Sequence, residues 1–483
     1  MNRLAQLDVR YVWHPFTQMR DWMRQEPIVI VRGRGPVLWD AHGRKYLDAN
    51  ASIWTNLHGH QHPALNRALR AQLQKIAHSS ALGLANEPAA LLAAQLVRLA
   101  RLREQKDARP RLNNPALEKV FFSDDGSTAL EVALKLAYEA SRRLGRSGPK
   151  PRFLGLEGAY HGDTVGAVSL GHIDLFHRTY AGLLFKSDAV MAPYCYRCPF
   201  NRAQPERADA RQYRQCQWQC LGQLENRLGR ARRRGQPYAA FVFEPLMQGA
   251  AGMIPQPHGW LRQAAALARE HGALLIADEV MTGFGRTGPL FACHREGVQP
   301  DFLALAKGLT GGYLPMAATL TTLEIFNAFL GEYAEFKTFF HGHSYTGNQL
   351  GAAAALASLG LLQKPGAAAL RQRLARHLAG ALQTLWDLPQ VGDIRQEGLV
   401  AGIELVKDWR SREPFPLADR AGFRVCEAMA RRGVLTRPIG NVLVLMPPYC
   451  VSPQQIEQMV EVLRVSVQEV LGKEPGNTPR RSR

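Results

Sequence analysis

The chain runs to 483 residues, 46% apolar and 21% charged, too long for one compact core of ordinary size and too evenly mixed for a disordered or fibrous protein. Its formal charge of +19 comes from 60 basic against 41 acidic side chains, but only 12 of the basic residues are lysines. The densest basic run, Arg227 to Arg234, has no aromatic residue interleaved to stack a base, so it reads as a solvated helix face and no nucleic-acid partner is expected.

Met1 to Arg10 contain no apolar run of the kind a secretory leader needs. Tyr11 to Met19, YVWHPFTQM, then places Tyr11, Trp13 and Phe16 close together, which suits either an arm docked on its own domain or one wall of a pocket. Pro36 to Asn50, PVLWDAHGRKYLDAN, alternates around His42-Gly43 and predicts a β-hairpin. Leu65, Leu69, Leu73 and Ile76 recur at helical spacing over Ala64 to Ala77. Residues 1–85 are read as an N-terminal segment belonging to a small domain.

From Glu118 onward short apolar runs alternate with helical segments: VFF (120–122), RFLGL (152–156), AAFVFEP (239–245), ALLIADEV (273–280), FLALA (302–306) and MAATLTT (316–322). Runs apolar on both faces, joined by helices such as Gly259 to His271, predict a mostly parallel sheet covered on both sides, in a large domain over 86–364. Inside it lies a polar excursion over 193–222 with Cys195, Cys198, Cys216 and Cys220. The spacing C-x2-C-x17-C-x3-C could make a tetrahedral zinc site, but four unligated thiols in a polar surface excursion are the favoured reading, so no metal is assigned to it. Cys293, Cys426 and Cys450 are isolated and read as packing residues.

Ser344 to Gln363 carries no charge but is rich in Ala and Gly, which predicts a buried helix rather than a membrane span. A cytosolic protein without a membrane partner is therefore expected. Beyond Pro365 a long helix (Ala367 to Leu388), strands near Gly398 to Leu405 and Asn441 to Met446, and a last helix (Pro453 to Leu471) predict a smaller α+β domain over 365–472. The basic tail 473–483 is expected to be disordered.

The most specific chemical signal is FLALAKGLTGG, in which Lys307 ends an apolar strand. Desolvation there would lower the lysine pKa and free its amine as a nucleophile toward a carbonyl. The preceding strand, ALLIADEV, ends in Asp278, and in a parallel sheet both side chains emerge at the carboxyl edge, where α/β proteins bind ligands. A carboxylate beside a carbonyl-binding lysine suits pyridoxal phosphate, whose ring nitrogen it can keep protonated. VFFSDDGSTALEVALKLAYEA supplies a strand, a turn at Gly126 and a helix starting at Ser127-Thr128, a place for the phosphate. In GAYHGDT, Tyr160 and His161 follow the strand RFLGL and are placed to stack on a planar ring.

With these words the chain resembles the class III, fold-type I, pyridoxal-phosphate-dependent aminotransferases along nearly its whole length. The matching stretches are DDGSTALEVALKLA, YHGDTVGAVSLG, FEPLMQGAAGM, IADEVMTGFGRTG, LAKGLTGGYLPMA and FHGHSYTGNQ. The resemblance implies an α/β fold: a large domain with a mostly parallel seven-stranded sheet, plus a smaller α+β domain. It implies pyridoxal 5'-phosphate as cofactor and transamination as the reaction. Lys307 would bind the cofactor covalently and shuttle the proton, and Asp278 would pair with the pyridine nitrogen. Gly126 and Ser127 would bind the phosphate. Tyr160 would stack near the ring and contact substrate, and Gly342 would touch substrate.

By the same resemblance His343 and Ser344 would bind cofactor, the serine reaching the phosphate of a neighbouring subunit, so a homodimer with shared active sites is implied. Arg437 would bind the substrate carboxylate, and Glu244, Asp163 and Arg286 would support the site. The words WHPFTQM, LHGHQHP and LTRPIG resemble those of the biotin-pathway members, which implies 8-amino-7-oxononanoate as acceptor. Phe16 and the pair Ile53-Trp54 stand where many members have tyrosine and two tryptophans, on the amino-donor side of the pocket. The donor is thus left between S-adenosylmethionine and lysine. A transaminase of ω-amino acids or polyamines is the alternative reading.

Overall fold

The computed structural model describes residues 1–102 and 115–472; the basic tail 473–483 lies outside the described residues. At its centre is a seven-stranded sheet made of β1 (Leu117–Ser123), β2 (Arg152–Leu156), β3 (Asp188–Val190), β4 (Tyr238–Phe243), β5 (Leu274–Asp278), β6 (Phe302–Leu305) and β7 (Ala317–Thr322), in the order β1-β7-β6-β5-β4-β2-β3. β7 alone runs antiparallel to both of its neighbours. The link from β6 to β7 is too short to carry a crossover helix, which is what a parallel pairing would require.

Every residue of β4 and β5 is buried, because helices cover both faces. Alternate side chains go to opposite sides, as a two-residue period demands. Ala240, Val242, Leu274 and Ile276 pack with α1 (Gly126–Arg143), whereas Phe241, Phe243, Leu275 and Ala277 pack with α2 (Gln219–Arg233) and α3 (Trp260–Glu270).

The predicted hairpin forms as Val37–Asp40 and Lys45–Asp48, with Ile30–Arg34 adding a third strand. The Asp40 carboxylate accepts from the His42 and Arg44 amides and so closes the turn around Gly43, whose φ is 79°. Val434–Leu435 pairs in parallel with Lys45–Asp48, which ties the N-terminal segment to the C-terminal part of the chain. A second small sheet contains Val391–Glu397, Val400–Leu405, Val442–Leu445 and Pro438–Ile439.

Two elements depart from the sequence reading. The helix from Ala367 is α-helical only to Leu382 and ends in a tighter turn over Gln383–Asp387. The strand Val391–Glu397 escapes a hydropathy reading because its charges are buried: Arg395 sits between the carboxylates of Asp393 and Glu404 and donates to the carbonyls of Gly252 and Met253. The uncharged stretch beginning at Ser344 becomes the helix Gln349–Leu362, and among the described residues no helix is long and apolar enough to cross a membrane.

Candidate active site

Asp278 is the last residue of β5 and Lys307 follows two residues after the end of β6, where Ala304 is in register with Asp278. The two side chains, with Gly126, Ser127, Tyr160, His161, Glu244 and Trp54, line a cavity of about 460 Å³ at the carboxyl edge of the sheet. The sheet thus brings together the lysine, the carboxylate and the helix start that the sequence placed in three separate segments.

The α1 start is a capping box: the Asp125 carboxylate accepts from the Thr128 amide at 2.9 Å while the Thr128 hydroxyl oxygen accepts from the Asp125 amide at 2.9 Å. Apart from the Asp125 cap no acidic side chain lies in the first turn of α1, so the helix start still favours an anion at the amides the cap does not engage. A Cβ at Gly126 would lie 2.6 Å from Cγ1 of Val280, which is why glycine is needed where β5 meets the helix. Gly162, with a φ of 120°, lets the loop after Tyr160 close on Ser127, whose hydroxyl oxygen accepts from the Asp163 amide.

Burial holds the Lys307 ammonium below its ordinary pKa, against the opposing charges of Asp278, Glu244 and Asp125. Its Nζ lies 5.3 Å from the centre of the Trp54 ring. The Asp278 carboxylate is held at both oxygens, by His161 Nδ1 at 2.8 Å and by the Val280 amide at 3.0 Å. Burial by itself would lower the His161 pKa, yet its bond to Asp278 raises it. Glu244, fully buried, is pushed up to about 7 by desolvation, although it accepts from the Gly249 and Tyr160 amides. The Tyr160 phenol is raised by burial and donates to Asp163 at 2.6 Å.

His161 therefore differs from the ring-stacking role read from sequence beside Tyr160: it braces the aspartate. Its signal was local, a histidine just past a strand, but its partner lies 117 residues away.

A second cavity, of about 1000 Å³, opens outward from the first and shares Trp54, Tyr160 and Lys307 with it. Phe16, Ile53 and Arg437 line it, as does Phe176, whose ring meets Phe16 edge-on at 5.2 Å and Tyr160 at 6.2 Å. Of the N-terminal aromatics only Phe16 reaches the site; Tyr11 and Trp13 are 69% and 87% exposed. Among the wall residues that sequence reasoning missed are Phe176 and, from the cysteine-bearing excursion, Tyr194, Arg197, Cys198 and Pro199. Arg197 and Tyr194 both donate to Glu404, so the excursion is clamped onto the second small sheet. Among the described residues no set of three or more His, Cys, Asp or Glu side chains is arranged to hold a metal ion.

Gly342, His343 and Ser344 do not line either cavity. They run along an outer loop beside the exposed Phe340 and Tyr345, and His343 Nδ1 lies 3.4 Å from an oxygen of Asp124. Arg286 is also outside the cavities: fully buried, it donates to the carbonyls of Pro447 and Asn56 and joins two chain segments.

Backbone strain concentrates where the two cavities meet. Ala51, Ser52, Ile53 and Trp54 have φ of 45°, 49°, 63° and 68°, a left-handed turn of four residues that are not glycine, each at a cost of about 1–2 kcal/mol. Lys307, at a φ of 43°, shares that conformation.

A depressed lysine amine, a braced carboxylate, an aromatic wall and an uncrowded helix start fit pyridoxal phosphate as a set. A family profile, Aminotransferase class-III, matches residues 19–467. The chain belongs to the class III aminotransferases, pyridoxal-phosphate-dependent enzymes of fold type I.

Within the class it is 46% identical to the adenosylmethionine-8-amino-7-oxononanoate aminotransferase of Geobacter sulfurreducens, over 97% of this chain and 98% of that one. The crystal structure of the enzyme of that name from Methanocaldococcus jannaschii has a TM-score of 0.86 at 39% identity, covering 97% of this chain and 99% of the other. An amine transaminase from an uncultivated Pseudomonas species, in its pyridoxal-phosphate-bound form, has a TM-score of 0.84 at 31% identity, over 95% and 99%.

Proposed function

We propose that this transaminase aminates 8-amino-7-oxononanoate to 7,8-diaminononanoate, a step of biotin synthesis, with S-adenosylmethionine or lysine as donor. Full-length similarity to relatives named for that acceptor supports the reading. The single observation that carries it is the outer cavity, which has Arg437 and Lys307 on its walls, so that a carboxylate and a distant ketone of one substrate can be engaged together. A guanidinium grips a carboxylate through two parallel hydrogen bonds.

When bound, pyridoxal phosphate supplies an electron sink and carries the amino group between donor and acceptor. Gly126 and Ser127 at the α1 start would hold its phosphate, and Asp278, fixed by His161, would keep a proton on the ring nitrogen. Lys307, whose pKa burial lowers, would supply the nucleophilic amine and move a proton at Nζ. Tyr160 and Trp54 flank the reacting region and exclude water. His343 and Ser344 belong to a loop beside exposed aromatics, which supports a homodimer in which that loop completes the partner's site.

The test is a panel of half-reactions with S-adenosylmethionine, lysine, ω-amino acids and polyamines as donors, followed by the oxononanoate as acceptor. Product formation from the oxononanoate is the expected outcome. Turnover confined to other ketones would overturn the assignment.

A further inference from the structure

The left-handed turn Ala51–Trp54 is the least probable backbone in the site; the Trp54 amide donates to the Asn50 carbonyl and the Thr55 and Asn56 amides to that of Ala51, and one carboxylate is bonded into it as well. Oδ1 of Asp48 accepts from the Ser52 amide at 3.0 Å, and Oδ2 accepts from the Ser52 hydroxyl at 2.8 Å and from His60 Nε2 at 3.0 Å. His60 is oriented in turn by Asn56. The Asn56 side-chain oxygen takes the Gly59 amide at 2.7 Å, so its NH2 group faces His60 Nδ1 at 3.2 Å and leaves the Nε2 proton for Asp48. Asp48 is itself buried. The turn then delivers Ile53 to the outer cavity and Trp54 to the boundary with the inner one, over Lys307. Side chains of this kind do not hold a left-handed conformation unaided, and Ile53, being β-branched, resists it most.

We propose that Asp48, through Ser52 and with His60 behind it, is a positioning residue for amine selection: it holds Ile53 and Trp54 against the cavity in a turn that would otherwise relax away. The proposal rests on the reading of the outer cavity as the substrate site, with Ile53 and Trp54 on its amino-donor side. Asp48 touches no substrate, so its loss should weaken amine binding more than it slows the chemistry that Lys307 performs.

Three variants of the holoenzyme test this: Asp48→Asn, Ser52→Ala, and Asp48→Asn combined with Ser52→Gly. Each is measured by KM and kcat for the preferred donor. Hydrogen exchange over 49–57 in the cofactor-free protein reads the turn independently of activity. Asp48→Asn is expected to speed that exchange and to raise KM about tenfold with a much smaller change in kcat. Ser52→Ala should fall between it and the wild type. Adding Ser52→Gly should bring KM back toward the wild-type value, because glycine takes a positive φ without strain, whereas a merely stabilising carboxylate would not be rescued in this way.

An unchanged KM in Asp48→Asn, or no recovery in the double variant, overturns the proposal. Should Asp48→Asn not fold, an unchanged KM in Ser52→Ala overturns it instead. A wild-type enzyme that uses none of the amines sinks the functional reading and with it the selection role. Hydrogen exchange would still decide whether Asp48 holds the turn.

Discussion

At the scale of single residues, the site is built from groups whose pKa values burial shifts. Burial lowers the pKa of Lys307, which under the proposed function eases its use as nucleophile and proton carrier. Lys307→Ala is expected to lower amino transfer by at least about 10²–10⁴-fold, measured as product per turnover with excess donor. Glu244 carries the opposite consequence. Its pKa rises to about 7 from 4.5, so the folded chain keeps a proton that the unfolded chain has lost between those values. The resulting stabilisation is complete below pH 4.5 and is lost as pH climbs through 7, up to roughly 3 kcal/mol. Glu244→Gln should therefore flatten the fall in stability of the cofactor-free protein over that window in denaturant titrations. Parallel wild-type and variant slopes would refute it.

Lys307 and Asp278 were legible because each ends an apolar run, a pattern that places a polar side chain at a sheet edge whatever the rest of the fold does. His161 was legible as an aromatic near the site and not as the aspartate's brace, since only the sheet brings its ring 2.8 Å from a residue on another strand.

Among elements, the start of α1 shows how much a local motif leaves undecided. The words DDGSTALE announce a capped helix, and Asp125 with Thr128 forms that cap. Why Gly126 must lack a side chain depends on Val280, which arrives from the end of β5. Gly126→Ala should push the helix start off its seat and weaken cofactor affinity by about tenfold or more, measured by titrating cofactor-free protein with pyridoxal phosphate, with only a small loss of stability. The strand Val391–Glu397 makes the converse point: alternating charges read as surface, but Arg395 is satisfied by two carboxylates and two carbonyls and so can be buried.

Over the whole molecule, the unassigned feature is the exposed apolar surface near the site. Leu82 and Leu84 are exposed, as are Phe336, Phe340 and Tyr345 on the loop that holds His343 and Ser344. Patches of this kind mark an interaction surface, and a second copy of the chain is the occupant under the homodimer reading. Phe340→Asp, which buries a charge in that interface, should shift the protein toward monomer in sedimentation and reduce activity in parallel. Full activity in a monomeric variant would show that the sites are not shared.

The sequence alone determined the fold class and the candidate site: the apolar runs specify a mostly parallel sheet, and Lys307, Asp278 and the Gly126 helix start sit at its carboxyl edge, because strand period and helix capping are local physics. The tertiary structure decided what was non-local. It gave His161 to Asp278 and drew Tyr194 and Arg197 into the wall of the outer cavity. It also holds Ala51 to Trp54 in a left-handed turn, a conformation that local propensity opposes and that the buried Asp48 carboxylate, backed by His60, sustains through Ser52.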